Sequence, residues 1–292
     1  MTAATLDPVR QDTVTTERHR PKRRRWGFHA VMAPLAVLWV APMLFVLVLA
    51  FRSFDDIAAN GTSALPTSFS FDGFSEALGR GAMGRALWTS VQVTVPAVIL
   101  SLLLASWAAY ALSRFAIPGR RAILLTMLAG NLLPPQILLI PVSQVMQSLG
   151  LYDTLIALIV IQVGFGLGFY TFVLHGFMRS IPGELTEAAR IDGAGSISIY
   201  ARIIMPLCRP SLAALAALST TWIFNDLIWA ITVLRTETKL PVTAALLNLQ
   251  GGYVSHLNVV GAASVIAAVP TAVVFFAFQR HFVSGLLMGS SK

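Results

Sequence analysis

The stretch Pro182-Gly-Glu-Leu-Thr-Glu-Ala-Ala-Arg-Ile-Asp-Gly-Ala-Gly-Ser-Ile-Ser-Ile-Tyr-Ala-Arg-Ile-Ile-Met-Pro-Leu-Cys-Arg-Pro210 is a polar island between two long apolar runs. It opens as a helix, with Pro182 near the N-terminus and Glu184 and Glu187 in the first turns, where the helix dipole favours anions. Gly193 and Gly195 break that helix, and a second helical stretch, Ser196–Ile204, runs to Pro206. Small Ala188 and Ala189, flanked by Glu187 and Arg190, leave the first helix open to close approach by a partner surface. One reading is a helix–turn–helix module built for contact; the other is an ordinary amphipathic loop lying on a membrane.

Outward from this island the chain is made for lipid. Of 292 residues, 56% are hydrophobic and 12% charged, with a mean hydropathy of +0.73, against about 25% charged in ordinary soluble domains. That composition excludes a soluble enzyme, a disordered regulator and a secreted disulfide scaffold. The single cysteine, Cys208, excludes an internal disulfide and a zinc cluster. Six stretches reach the length of about 20 apolar residues that a span requires: Val31–Phe51, Ala86–Leu112, Ala122–Met146, Leu155–Leu174, Pro210–Leu234 and Val259–Gln279. Asp226 is the only charge inside them. Ten large apolar residues in its stretch, at about −0.5 kcal/mol each, outweigh its cost of about 3 kcal/mol.

Sixteen of the 21 Lys and Arg residues fall on one side of this arrangement, so both termini are expected to be cytoplasmic. Residues 1–30 read as a disordered basic tail; the run His19–Arg25 anchors the topology against anionic lipid rather than binding nucleic acid. Residues 31–85 hold the first span and an external segment, in which Phe71–Trp88 is expected to form an interfacial helix. Residues 86–292 form the core, with five spans and the cytoplasmic connection 175–209. Gly79, Gly81 and Gly84 match a dinucleotide fingerprint by chance, since no strand precedes them. They also fall short of a phosphate-binding loop, because Arg85 and Ala86 stand where Lys and Ser or Thr are needed.

The order Glu187-Ala188-Ala189, then Gly193, Ile203, Met205 and Pro206 resembles the signature of binding-protein-dependent ABC importer permeases, the loop that docks on an ATPase subunit. Met205 stands where Leu is usual, a volume-conserving exchange. The resemblance extends over nearly the whole chain from Val31. Asn131-Leu-Leu-Pro-Pro-Gln136, Trp222-Ile-Phe-Asn-Asp, Lys239-Leu-Pro-Val and Gln279-Arg-His-Phe-Val are similar to the carbohydrate-uptake branch, in particular the smaller six-span permease of maltose-type importers.

This resemblance implies an all-α membrane protein of the bacterial cytoplasmic membrane, with six transmembrane helices, a coupling-helix loop and both termini cytoplasmic. It implies a heterodimer with a second homologous permease, two ATPase subunits that carry ATP and Mg, and an external sugar-binding protein. This chain is then a non-catalytic subunit that binds no cofactor or metal. Glu187, Ala188, Ala189, Arg190, Asp192, Gly193 and Pro206 become the residues that couple it to the ATPase.

For the solute path, Trp222, Asn225, Asp226 and Trp229 are spaced to share one helical face. Rings beside amide and carboxylate groups suit sugar recognition; alternatively Asn225 and Asp226 bond to a neighbouring helix and fix packing. Asn131, Pro134, Pro135 and Pro141 predict a kink near Gln136, which either lines a cavity, with Asn131 and Gln136 in the path, or serves packing. Gly164, Gly166 and Gly168 read as a helix contact, and His175, His256 and His281 as interfacial residues. No Lys or Arg lies within any span, which favours a neutral, hydroxyl-rich solute over glycerol phosphate. An ion-coupled transporter would want paired ionisable groups at mid-depth, where there is only Asp226.

Overall fold

The computed structural model describes residues 26–79, 82–252 and 256–287, and every regular element among them is helical. Residues 1–25, Gly81 and Lys292 lie outside that set, so the basic run His19–Arg25 is not described, nor is the side chain of His281.

Contacts divide the chain into a unit ending at Leu44 and a unit running from Phe45. The first holds most of α1 (Trp26–Ala50), whose side chains from Phe28 to Leu44 are all exposed. A helix this long and apolar on every side has the length and composition of a membrane span. It starts at Trp26, ahead of the expected Val31, as helical backbone runs past the apolar stretch into its flank.

The second unit contains α2 (Phe54–Asn60), α3 (Asp72–Leu78), α4 (Met83–Arg114), α5 (Arg120–Ala129), α6 (Pro135–Ser148), α7 (Leu155–Ser180), α8 (Gly183–Ile191), α9 (Ser196–Ile199), α10 (Met205–Leu207), α11 (Arg209–Phe224), α12 (Ile228–Val233), α13 (Val242–Gly252) and α14 (Leu257–Leu287). Four described helices are long and apolar enough to cross a membrane, and two bent pairs raise the number to as many as six.

The kink expected in the third stretch is there, and the fifth stretch, read as one continuous face, is interrupted as well. The stretch Ala122–Met146 is α5, a 3₁₀ turn at Gly130–Leu132 and α6, bent by 99°. Pro134 pushes Leu133 into extended backbone (ψ 128°), and Pro135 starts the next helix where its missing N–H costs nothing. The stretch Pro210–Leu234 is α11 and α12, separated by Asn225–Leu227. Phe71–Trp88 is likewise two elements, since α3 ends at Gly79 and α4 begins after Ala82, which takes the left-handed conformation (φ 50°).

The centre of this unit is the seam between α4 and α7. Ala97, Ser101, Ala105 and Ala109 recur every fourth residue on α4 and are completely buried. Small side chains let the two backbones come close, the packing that replaces a hydrophobic drive between helices in lipid. One end of the seam packs Ala97 with Ala157, Leu158 and Ile161; the other packs Ala105 and Ala109 with Tyr170, Leu174 and Met178. His175, expected at an interface, is buried here because it sits on the face of α7 turned to α4.

Away from the seam, two polar knots close the loops at the end remote from α8. Arg52 is fully buried: its Nε donates to the Asp56 carboxylate (2.6 Å), and its Nη1 donates to the carbonyls of Gly61, Thr62 and Ala64 (2.9–3.2 Å). Asp56 also accepts from Asn60 Nδ2 (2.9 Å) and Thr67 Oγ1 (2.6 Å). Arg52, Thr67 and Asn60 hold the Asp56 carboxyl well below the usual carboxylate range, against the opposing pull of burial. In the second knot Asp153, at φ 58°, accepts from the N–H groups of Arg235 and Thr236, the Thr236 hydroxyl and the Lys239 ammonium. These bonds, the Arg235 N–H foremost, hold its carboxyl far below the ordinary range and tie the turn before α7 to the segment after α12.

Two tests follow from this packing. A Cβ on Gly168 would run into the Met127 carbonyl and come within 2.7 Å of the Asn131 amide, whereas Gly164 faces open space. Gly168→Ala is expected to destabilise by about 1–3 kcal/mol, and Gly164→Ala to leave the melting temperature in detergent unchanged. Because the folded-state pKa of Asp56 is depressed, its stabilising effect is present above the unfolded value near ~3.9 and is lost as pH falls through the lower folded value. The difference in melting temperature between wild type and Asp56→Asn should therefore be full at pH 7 and shrink below about pH 4.

Candidate functional site

Pro182 sets the entry to α8, whose first turn carries Glu184 and whose last carries Arg190, both signs matching the helix dipole. The exit is a Schellman turn. Gly193 sits at φ 81°, its N–H donates to Arg190 O (3.1 Å), and the Ala194 N–H donates to Ala189 O (2.9 Å). Only glycine takes that left-handed position without strain, which accounts for Gly193 within the motif.

Beyond it, α9 passes into a π turn at Tyr200–Ile204, closed by Met205 N–H to Tyr200 O, and then into α10. The wider turn accommodates Pro206, which has no N–H to give the preceding turn. Pro206 therefore does not end the helix as its sequence suggests. The chain continues through it and bends by 73° between Leu207 and Arg209.

The C-terminal part of α4 grips this module at several points. Arg114 Nη2 donates to the carbonyls of Met178 (3.0 Å) and Ile181 (3.1 Å), just before α8. Tyr110 Oη donates to Ser196 O (3.0 Å), and Ser106 Oγ lies 2.7 Å from Tyr200 Oη. Ile199, Ile204 and Cys208 are fully buried in the cluster that holds Ala105, Ala109, Leu174 and Met178. What remains outside is a continuous surface. Glu187, Ala188, Arg190, Asp192 and Gly193 are exposed, Ala189 and Pro206 half-buried. Ile191 and Ile197 stand out at 86% and 84% exposure, bracketing the turn. Neither isoleucine was picked out from sequence, although two apolar side chains flanking a glycine turn were a signal to be had.

The solute-path candidates do not share one helical face, because α11 stops at Phe224. Trp222 is exposed and its ring meets Phe169 of α7 (centroids 5.7 Å). Trp229 is buried and meets Phe165 (5.0 Å). Asn225 Nδ2 donates to Thr221 O (2.8 Å) and to Thr271 Oγ1 of α14 (3.3 Å). Asp226 turns its carboxylate to the N–H groups of Ile228, Trp229 and Ala230 at the start of α12, and to Gln162. Its own carbonyl accepts from Thr243 Oγ1 (2.8 Å). With Ser90, Thr94 and Gln162 it lines a cavity of about 10 Å³, the room of a single water.

Asn131 and Gln136 are exposed at the α5–α6 break, and Asn131 Nδ2 donates to Met127 O (3.3 Å) beside Gly168. The structure thus places Asn131 beside Gly168 of α7 and Trp222 beside Phe169, leaves Asn225 exposed, and buries Trp229 while Asp226 is half-buried. Among the described residues, no three His, Cys, Asp or Glu side chains gather where a metal could be held.

With this geometry in place, residues 97–287 match the family described as the binding-protein-dependent transport system inner membrane component, and the chain belongs to that family. It is 37% identical over 238 residues to the alpha-glucoside transport system permease protein AglG of Rhizobium meliloti (strain 1021), a match covering 79% of this chain and 62% of that one, less than two thirds of the relative's length. It is 33% identical to the diacetylchitobiose uptake system permease protein NgcG of Streptomyces coelicolor (strain ATCC BAA-471 / A3(2) / M145), over 91% of this chain and 89% of the other. A chain in the crystal structure of a bacterial ABC transporter involved in import of the acidic polysaccharide alginate superimposes with a TM-score of 0.78 at 25% identity, covering 91% of this chain and all of that one.

The turn geometry yields a paired test. Gly193→Ala forces a Cβ into the left-handed region and is expected to cost about 1–2 kcal/mol. Gly195, at φ −70° with open space around it, should accept alanine without loss. Thermal unfolding of the two variants side by side checks this.

Proposed function

We propose that this chain is the permease subunit of an ATP-driven sugar importer, moved between inward- and outward-facing states by a separate ATPase that docks on the surface around Glu187–Pro206. The observation that carries this reading is the α8–α10 module. Its charged, small-residue outer face is exposed while its inner face is locked to α4 and α7. A surface loop with no partner would have no need of such anchoring. Glu187 makes the electrostatic contact with the ATPase, and Gly193 sets the angle at which α8 is presented.

The remaining parts follow from the family and the charge pattern. The family is by its description binding-protein-dependent, which supports an external solute-binding protein, with a second permease and two ATPase subunits, carrying ATP and Mg, completing the assembly. Relatives named for alpha-glucosides and diacetylchitobiose support a sugar. The absence of Lys and Arg from the spans supports a neutral one. The positive-inside bias supports six crossings with both termini cytoplasmic and the α8 module on the same side.

Reversing the charge at the contact is the direct test. Glu187→Lys is expected to leave the protein in the membrane at wild-type abundance, to abolish co-purification of the ATPase and to reduce solute uptake more than about tenfold, as loss of a hot-spot contact does. Uptake at the wild-type rate would overturn the docking assignment.

A further inference from the structure

We propose that the cavity between the C-terminal end of α4 and α9 with its π turn binds one anionic phospholipid of the phosphatidylglycerol type, in the joint by which α4 grips the α8–α10 module. An acyl chain fills the cavity and the lipid phosphate meets the arginines beside it. The inference stands apart from the solute path and takes from the importer reading only the side of the membrane on which the module lies.

Three observations converge. The first is the cavity itself, which holds about 480 Å³, within the roughly 300–1,000 Å³ of small-molecule sites. Helix α4 contributes Trp107, Tyr110 and Phe115, and the other wall contributes Ile197, Tyr200 and Ala201. The Tyr110 ring lies 5.3 Å from that of Tyr200 and 5.9 Å from that of Phe115 (centroids). The polar ends of these rings are already engaged. Tyr110 Oη donates to Ser196 O, and Tyr200 Oη meets Ser106 Oγ and the Trp107 indole. What the cavity offers an occupant is carbon.

The second is depth. Arg114 is the last residue of α4, and Trp107 stands two turns before it, about 10 Å along the axis at 1.5 Å per residue. The cavity thus runs from the level of the basic residues that end the span into the acyl region. Trp and Tyr rings at that level mark the membrane interface. Trp107, Phe115 and Ile197 are exposed in this chain. A water-soluble subunit would have to enter the bilayer to reach Trp107, whereas a lipid beside α4 is already there.

The third is charge. The charged groups that act on the Tyr110 phenol are Arg190 and Arg114, both positive. Arg114 is fixed by its bonds to the Met178 and Ile181 carbonyls, and Arg190 is exposed on the last turn of α8. Arg202, on the π turn next to Ala201, is exposed too. The acidic residues of the module, Glu184, Glu187 and Asp192, are exposed on α8 and its C-cap, and none of them lines the cavity. An apolar cavity beside arginines at the end of a span is complementary to a lipid phosphate with its chain attached, and basic pockets on the cytoplasmic side take such headgroups. A zwitterionic lipid would bring its own cation to the arginines, and a free phosphate would leave the rings uncovered.

The test uses the full chain, purified in mild detergent with its co-purifying subunits, and a phosphatidylglycerol that carries a diazirine in one acyl chain. After illumination, label mapped by mass spectrometry should fall on residues 107–115 and 196–201. Two substitutions challenge the site: Ala201→Phe fills the cavity, and Ile197→Glu puts a carboxylate on an exposed position that lines it. Each should lower the label there at least about fivefold, with the melting temperature in the absence of added lipid unchanged.

Unlabelled phosphatidylglycerol should compete the label away, while phosphatidylcholine and inorganic phosphate should not. Label spread evenly over the exposed apolar faces of α1 and α14, or unchanged in both variants, would overturn the site. Equal competition by phosphatidylcholine, or competition by inorganic phosphate, would refute an anionic lipid as the occupant. A benzoylphenylalanine at Ile197 that cross-links to another subunit instead of to lipid would give the cavity to a protein and sink the proposal. None of these outcomes bears on ATPase docking, which Glu187→Lys reads separately.

Discussion

The seam of small residues between α4 and α7 is the constraint on which the rest depends. Lipid offers no hydrophobic drive to press one apolar helix on another, so close packing must do it. Ala97, Ser101, Ala105 and Ala109 leave room for that on α4. Once the two helices are joined, their far ends are fixed as well. The C-terminal ends carry Arg114, Tyr110 and Ser106 to the α8–α10 module. The N-terminal end of α7 follows Asp153, whose carboxylate gathers the segment after α12. Midway along α7, Gly168 and Phe169 receive both helix breaks.

Around this seam, polar groups are used sparingly. Arg52 is completely buried, and it is accommodated because a carboxylate and three backbone carbonyls take up its donors. A buried charge without such partners is costly, so the loop from Ser53 to Thr67 is folded as much around the guanidinium as the guanidinium is held by the loop. Asp226 follows a similar rule by a different route, spending its lone pairs on the N–H groups that open α12.

Much of this was readable from local rules. Apolar length marks the helices, and Gly193 marks the end of α8, because a left-handed turn residue leaves a local signature. The Pro134–Pro135 pair announces an interruption, though not its 99° angle, which depends on what α7 leaves room for. The break at Asn225 was not legible. No Pro or Gly stands there, and the helical spacing of Trp222, Asn225, Asp226 and Trp229 pointed to a continuous face. What interrupts it is tertiary: Asn225 reaches Thr271 and Asp226 receives Thr243. Phe169 escaped notice because its partner lies 53 residues away in sequence, and Arg52 because an arginine beside a span reads as solvent-exposed.

The grip of α4 on the α8–α10 module has a mechanical side. Helix α4 has 32 residues, a rod of about 48 Å at 1.5 Å per residue. Tyr110 and Arg114 sit in its last two turns, so a force on α8 is applied at the tip of the rod, where leverage is greatest. Tilting such a rod by about 10° around its middle moves each tip by roughly 4 Å in opposite directions. A small displacement at one membrane face would thus reappear, reversed in sign, at the other, with the middle of α4 around Val98, packed against Leu158 and Ile161, acting as fulcrum.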